Sequence, residues 1–141
     1  MHKFRLALVA ATALMVATAP SSAGQLDDIV EVVNKYLVGT AEGRPELVRE
    51  AFLPSLEVQW LGDEEELRRR DAAGYISNIE PGKSVPREGR IVNVDATDKS
   101  AMVKVEIKWN DRLYTDYMLL LRVQGEWKIA NKIATWEPID G

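Results

Sequence analysis

Few side chains in this sequence could do chemistry, and most of those that could fall between Trp109 and Ile133. Asp116 is a carboxylate in a strand-like stretch, Tyr114-Thr-Asp-Tyr-Met-Leu119, where burial would suit it to act as a general base. Thr115, Tyr117 and Asn131 supply the hydroxyls and amide that orient a ligand in an apolar pocket. Tyr36, Trp60, Tyr75 and Trp109 offer flat faces for stacking on a ring, or plain core. The acidic run Asp63-Glu-Glu-Glu66 lacks the alternating oxygen ligands and the glycine of a calcium loop, so it reads as a solvated turn. Arg68-Arg-Arg70 could grip an anion at a cavity mouth, although the acidic run beside it is a simpler partner.

Absences narrow the chemistry further. There is no cysteine, and the one histidine, His2, sits at the extreme N-terminus. Lys3 and Arg5 precede an apolar run from Leu6 to Ala19, Pro20 breaks it, and Ser21-Ser-Ala23 offers small residues for cleavage. Residues 1–23 therefore read as a secretory signal peptide and 24–141 as a single mature domain, placed in the periplasm or secreted. Without His2 the mature chain cannot build a His/Cys zinc site, a Cys-His nucleophile or a Ser-His-Asp triad. No Gly-rich phosphate loop is present, so no metal, cofactor or assignable catalytic residue is implied. Losing Lys3 and Arg5 lowers the basic count from 18 to 16 against 22 acids, a charge near −6 that disfavours nucleic acid and anionic membrane as partners. No later apolar run reaches the roughly 20 residues a membrane span needs.

The candidate residues need elements to hold them. Leu26, Ile29, Val33, Tyr36 and Leu37 recur at helical spacing and predict a helix over 25–40, broken by Gly39 to Gly43. Pro45 opens a second helix, 46–53, that Pro54 closes. Leu56 to Leu61 alternates as a strand, Leu67 to Arg70 suits a short one, and Asp71 can cap a third helix over 72–79. Residues 90–95 and 101–109 are strands, the second with Val103, Val105, Ile107 and Trp109 on one side. Arg112 to Trp136 is the central hairpin. A three-residue loop, Val123-Gln-Gly125, with Gly125 in a left-handed bulge position, sets Arg122 against Glu126, Leu121 against Trp127, Leu119 against Ile129, Tyr117 against Asn131, Thr115 against Ile133 and Asp116 against Lys132. That register turns Thr115, Tyr117, Leu119, Leu121 and Asn131 inward. It leaves Asp116 on the outer face between Lys132 and, if the preceding hairpin turns at Trp109-Asn-Asp111, Lys104: an ion pair rather than a base.

Two or three helices followed by antiparallel strands read as α+β, with helices on one face of a strongly bent sheet. In that order of elements, and in Tyr36-Leu-Val-Gly-Thr-Ala-Glu-Gly43, Glu46 to Phe52, Tyr75-Ile-Ser-Asn-Ile79, Tyr114-Thr-Asp-Tyr117 and Gly125-Glu-Trp-Lys-Ile-Ala-Asn-Lys-Ile133, the chain resembles the nuclear-transport-factor-2-like superfamily. It looks closest to the putative lumazine-binding branch, related to the SnoaL-like and ketosteroid-isomerase-like branches. The resemblance implies a cone-shaped, curved antiparallel sheet covered on its concave face by two or three N-terminal helices, frequent dimers, and a cavity open at one end. Catalytic relatives commonly place a His, Asp or Arg there, and the mature chain has no histidine.

These features converge on an exported domain that binds a small apolar or heteroaromatic molecule, with Tyr36, Trp60, Tyr75, Trp109, Thr115, Tyr117 and Asn131 as its contacts. Cofactor-free isomerase or dehydratase chemistry is the alternative and requires an inward carboxylate. A third reading is a homodimer through an outer sheet face made partly apolar by Met118, Leu120, Ala130, Ala134 and Trp136.

Overall fold

A computed structural model of the protein describes residues 22–139. Residues 1–21, nearly all of the expected signal peptide, lie outside this range. Helix α1 (Ser22–Glu42) buries Ile29, Val33, Tyr36, Gly39 and Thr40 along one stripe. It runs through Gly39 rather than stopping there. Gly39 serves close packing instead, since a Cβ at that position would lie 2.6 Å from Val48 Cγ2 and 2.9 Å from the Arg44 carbonyl oxygen. The helix ends where Gly43 takes φ of 65°.

Helix α2 (Pro45–Ala51) starts on proline as expected but yields to strand β1 (Phe52–Leu61) before Pro54. Pro54 falls in the irregular stretch between Phe52 and Glu57, where pairing to the neighbouring strand shifts and an amide proton is not needed. Strand β2 (Leu67–Asp71) leads into helix α3 (Ala72–Ser77), whose first turn is capped by Asp71 accepting from the Gly74 N–H at 2.7 Å. Strands β3 (Arg87–Ala96), β4 (Ser100–Trp109), β5 (Arg112–Val123) and β6 (Glu126–Pro138) follow as an antiparallel meander.

The sheet order is β2-β1-β6-β5-β4-β3. β1 runs parallel to β6, so the six-stranded sheet is mixed rather than wholly antiparallel. The three helices cover one face of this open sheet, the α+β cone expected from the sequence. Ile29, Val33 and Tyr36 meet Leu56 and Val58 of β1, Val103, Val105 and Ile107 of β4, Met118 and Leu120 of β5, and Ile129 of β6 in one core.

The register of the central hairpin differs from expectation, and the difference decides the site. The loop has two residues, not three: Gln124 at φ 51° and Gly125 at φ 85° form a turn in which both central residues are left-handed, the type I′ geometry that matches strand twist. Val123 therefore pairs with Glu126, Arg122 with Trp127 and Leu120 with Ile129. Ala130 is then an extra residue, a bulge, after which Leu119 pairs with Asn131, Met118 with Lys132 and Tyr117 with Ile133. Trp127 and Ile129 face the core as expected. Every β5 residue is flipped relative to expectation, as is β6 beyond the bulge. The preceding hairpin also turns on two residues, Asn110 and Asp111, so Val105 rather than Lys104 lies opposite Asp116.

Candidate ligand-binding site

The flipped register carries two opposite charges into the core. Asp116 is 2 % exposed and Lys132 4 %, and Lys132 Nζ donates to Asp116 Oδ2 at 2.8 Å. Sequence reasoning paired these residues but placed them on the outer face. From α1, the fully buried Tyr36 donates its hydroxyl to the same Oδ2 at 2.9 Å, and Tyr75 of α3 lies 3.3 Å from that hydroxyl. Burial, and then the negative charge of Asp116, hold the Tyr36 hydroxyl well above its ordinary value of 10.0. It is thus a neutral donor throughout the physiological range. Tyr36 stacks on Phe52 at 5.8 Å between ring centres, and Lys132 Nζ lies 5.5 and 5.6 Å from the centres of the Tyr36 and Tyr75 rings.

Asp116 and Lys132 form the floor of a cavity of about 250 Å³. Its walls come from every layer of the fold: Trp60 from β1, Tyr75 from α3, Arg87 from β3, Trp109 from β4 and Trp136 from β6. Among the described residues no hydrogen bond ties down Asp116 Oδ1, the oxygen left after Tyr36 and Lys132 have taken the other. Arg70 rests over the Trp60 ring and Arg87 over the Trp109 ring, each 5.4 Å from the ring centre. Burial works against the Arg87 cation, but the hydroxyls of Tyr36 and Tyr75 more than offset it, so it keeps its charge. A second cavity of about 320 Å³ adjoins the first, with Arg70, Tyr75, Arg87 and Trp109 common to both.

Of the residues singled out in the sequence, Trp60, Tyr75 and Trp109 line the cavity, and Tyr36 lies beneath it as the donor to Asp116. Thr115, Tyr117 and Asn131 are not brought to it. Tyr117 is 40 % exposed on the opposite face, where Lys104 Nζ lies 5.8 Å from its ring centre. Asn131 pairs with Leu119 beside a shallow depression on that face, and Thr115 pairs with Thr135. Asp116, Lys132 and Arg87 are the charged side chains that sequence reasoning did not assign to the pocket. The signal was present in β4: with Val105 inward and a two-residue Asn110-Asp111 turn, Asp116 must face the core.

Residues 25–135 match the family described as Putative lumazine-binding. No curated protein matches the chain. Among solved structures it is similar to a nuclear-transport-factor-2-like protein of unknown function from Shewanella baltica, at TM-score 0.75 and 22 % identity over 84 % of this chain and 98 % of the other. A second such protein, from Silicibacter pomeroyi, aligns at TM-score 0.76 and 18 % identity, covering 84 % of this chain and all of its own. A Putative Scytalone Dehydratase from Novosphingobium aromaticivorans aligns at TM-score 0.62 and 13 % identity over 80 % and 84 % of the two chains. At these identities the structures establish the fold and nothing beyond it.

Proposed function

The chain belongs to the putative lumazine-binding family of nuclear-transport-factor-2-like proteins, and from that premise we propose that it holds one small, flat, largely apolar or heteroaromatic molecule in the cavity above Asp116 and Lys132. The observation that carries this reading is the wall of Trp60, Tyr75, Trp109 and Trp136 around a polar floor. At about 250 Å³ the space falls below the roughly 300–1,000 Å³ common for drug-sized ligands, which favours a compact ring system. Lumazine and related flat heterocycles form the first panel for thermal unfolding. A binder at 100 times its dissociation constant is expected to add about 2.7 kcal/mol. Trp60→Ala should abolish that gain, and a panel without effect on the folded protein would sink the proposal.

One observation favours a second reading, cofactor-free isomerase or dehydratase-like catalysis. Asp116 faces inward, with one oxygen unbonded and a neutral Tyr36 donor beside it. The test is deuterium uptake from solvent next to the carbonyl of a bound ketone, with Asp116→Asn abolishing it. Binding without uptake leaves the domain a binder.

The outer sheet face supports a homodimer. It exposes Tyr117, Leu119, Leu121 and Ile133 together, in place of the Met118 and Leu120 expected from the sequence, which are buried. Light scattering should report a dimer that Leu119→Lys converts to monomer, and a wild-type monomer would end the idea. We place the protein outside the cytoplasm on the strength of residues 1–23, and a secreted form beginning near Gly24 by mass spectrometry is the expected result.

A further inference from the structure

The cavity is not electrically neutral. Arg70, Arg87 and Lys132 line it against a single carboxylate, Asp116. That carboxylate is already engaged, with Lys132 at 2.8 Å and the Tyr36 hydroxyl at 2.9 Å on one oxygen. No acidic side chain among the described residues forms an ion pair with Arg70 or Arg87. The adjoining cavity does not redress the balance, since its one acid, Glu80, is paired with Lys83 at 2.8 Å. Arg112, which lies over the Trp136 ring of the wall, is paired with Asp63 at 3.4 Å. This local excess of positive charge stands in a chain whose formal net charge is −4, so it does not follow from composition.

Arg87 is the more consequential of the two cations without an acidic partner. Its Nε is buried and has no hydrogen-bond partner among the described residues. A guanidinium that is partly desolvated without a counter-ion is costly, because its five N–H donors have given up water without full replacement. Its Cζ lies 5.4 Å from the centre of the Trp109 ring, and both residues line the two adjoining cavities. A carboxylate suits such a fork, since it accepts two parallel N–H bonds and neutralises the charge. Apart from Arg70 and the Asp116–Lys132 pair at the floor, the lining includes Val58, Trp60 and Tyr114, surfaces that would take an apolar ring.

We propose that the ligand is an anion, a small planar aromatic acid whose carboxylate sits on Arg87 with Arg70 at the mouth and whose ring lies among the aromatic walls. This rests on the reading that the cavity holds a ligand, and it adds a charge requirement that neutral lumazine does not meet. Calorimetric titration of the folded domain with naphthoate and with its neutral isostere naphthamide separates the two. Naphthoate should bind roughly ten- to a hundredfold more tightly than the amide, and raised salt should narrow the gap. Arg87→Met should erase the preference, and Arg70→Met should reduce it by a smaller factor. Should Arg87→Met not fold, Arg70→Met and the salt dependence decide the matter. Equal affinity for acid and amide in the wild type overturns the anion requirement and leaves ligand binding standing. If naphthoate, naphthamide and lumazine all fail to bind, the cavity-binding reading itself falls, and the anion requirement with it.

Discussion

Lys132→Met should lower unfolding free energy by about 3–5 kcal/mol, the cost of leaving a buried carboxylate without its counter-ion. Asp116 and Lys132 are 2 % and 4 % exposed, so bulk water compensates little for the missing contact. Tyr36 would remain as the one hydrogen bond to Oδ2, too little to hold a full charge away from solvent. Adding Asp116→Asn removes the charge while keeping an oxygen for Tyr36 to donate to, and the double variant should recover most of the loss. Urea unfolding midpoints of the wild type, both single variants and the double variant close the cycle. A Lys132→Met variant within about 1 kcal/mol of wild type would mean that the pair is solvated, at the level of a surface ion pair. The cavity floor would then be wet, and the case for a polar group presented to a ligand from an apolar core would weaken with it.

That this pair lies inside was hard to read from residues alone, for a specific physical reason. Element type was legible: the spacing of Ile29, Val33 and Tyr36 gave α1, the alternation of Val103, Val105 and Ile107 gave β4, and Asp71 marked the start of α3. Parity was not. A strand has a period of two, so a one-residue change in loop length inverts every side chain beyond it. Asn-Gly or Asp-Gly would have announced the two-residue turn at once, but here Gln124 takes a left-handed φ of 51° that its residue type disfavours. The bulge at Ala130 compounds the difficulty, because nothing about alanine marks a position left out of the ladder. The aromatic members of the site survived the error because Trp60, Tyr75 and Trp109 sit on other elements. The polar members on the central hairpin were exchanged as a set, Tyr117 and Asn131 for Asp116 and Lys132.

Gly43→Ala should cost about 2–4 kcal/mol, combining a left-handed backbone that an L side chain resists with overpacking against rigid atoms. At φ 65° an added Cβ would lie 2.5 Å from both the amide nitrogen and the carbonyl oxygen of Lys83, and 2.6 Å from the Glu80 carbonyl oxygen. These are backbone atoms, which cannot rotate away as a side chain would. The 80–85 loop is also tied to the end of α1, by Gly82 N–H donating to the Gly43 carbonyl at 2.7 Å and Val85 N–H donating to the Ala41 carbonyl at 2.8 Å. Relief therefore has to come from moving the loop as a unit, which disturbs both bonds. Gly82→Ala is the control: its φ of 77° imposes a similar backbone strain, yet a Cβ there meets nothing within 4 Å. It should cost only about 1–2 kcal/mol. The difference between the two variants in urea midpoint measures the clash alone, and equal midpoints would show that the loop does not pack against α1 as described. Because β3 begins at Arg87, two residues beyond Val85, a displaced loop should also move the guanidinium. Gly43→Ala, where it folds, should then lose part of the preference for acid over amide while Gly82→Ala keeps it.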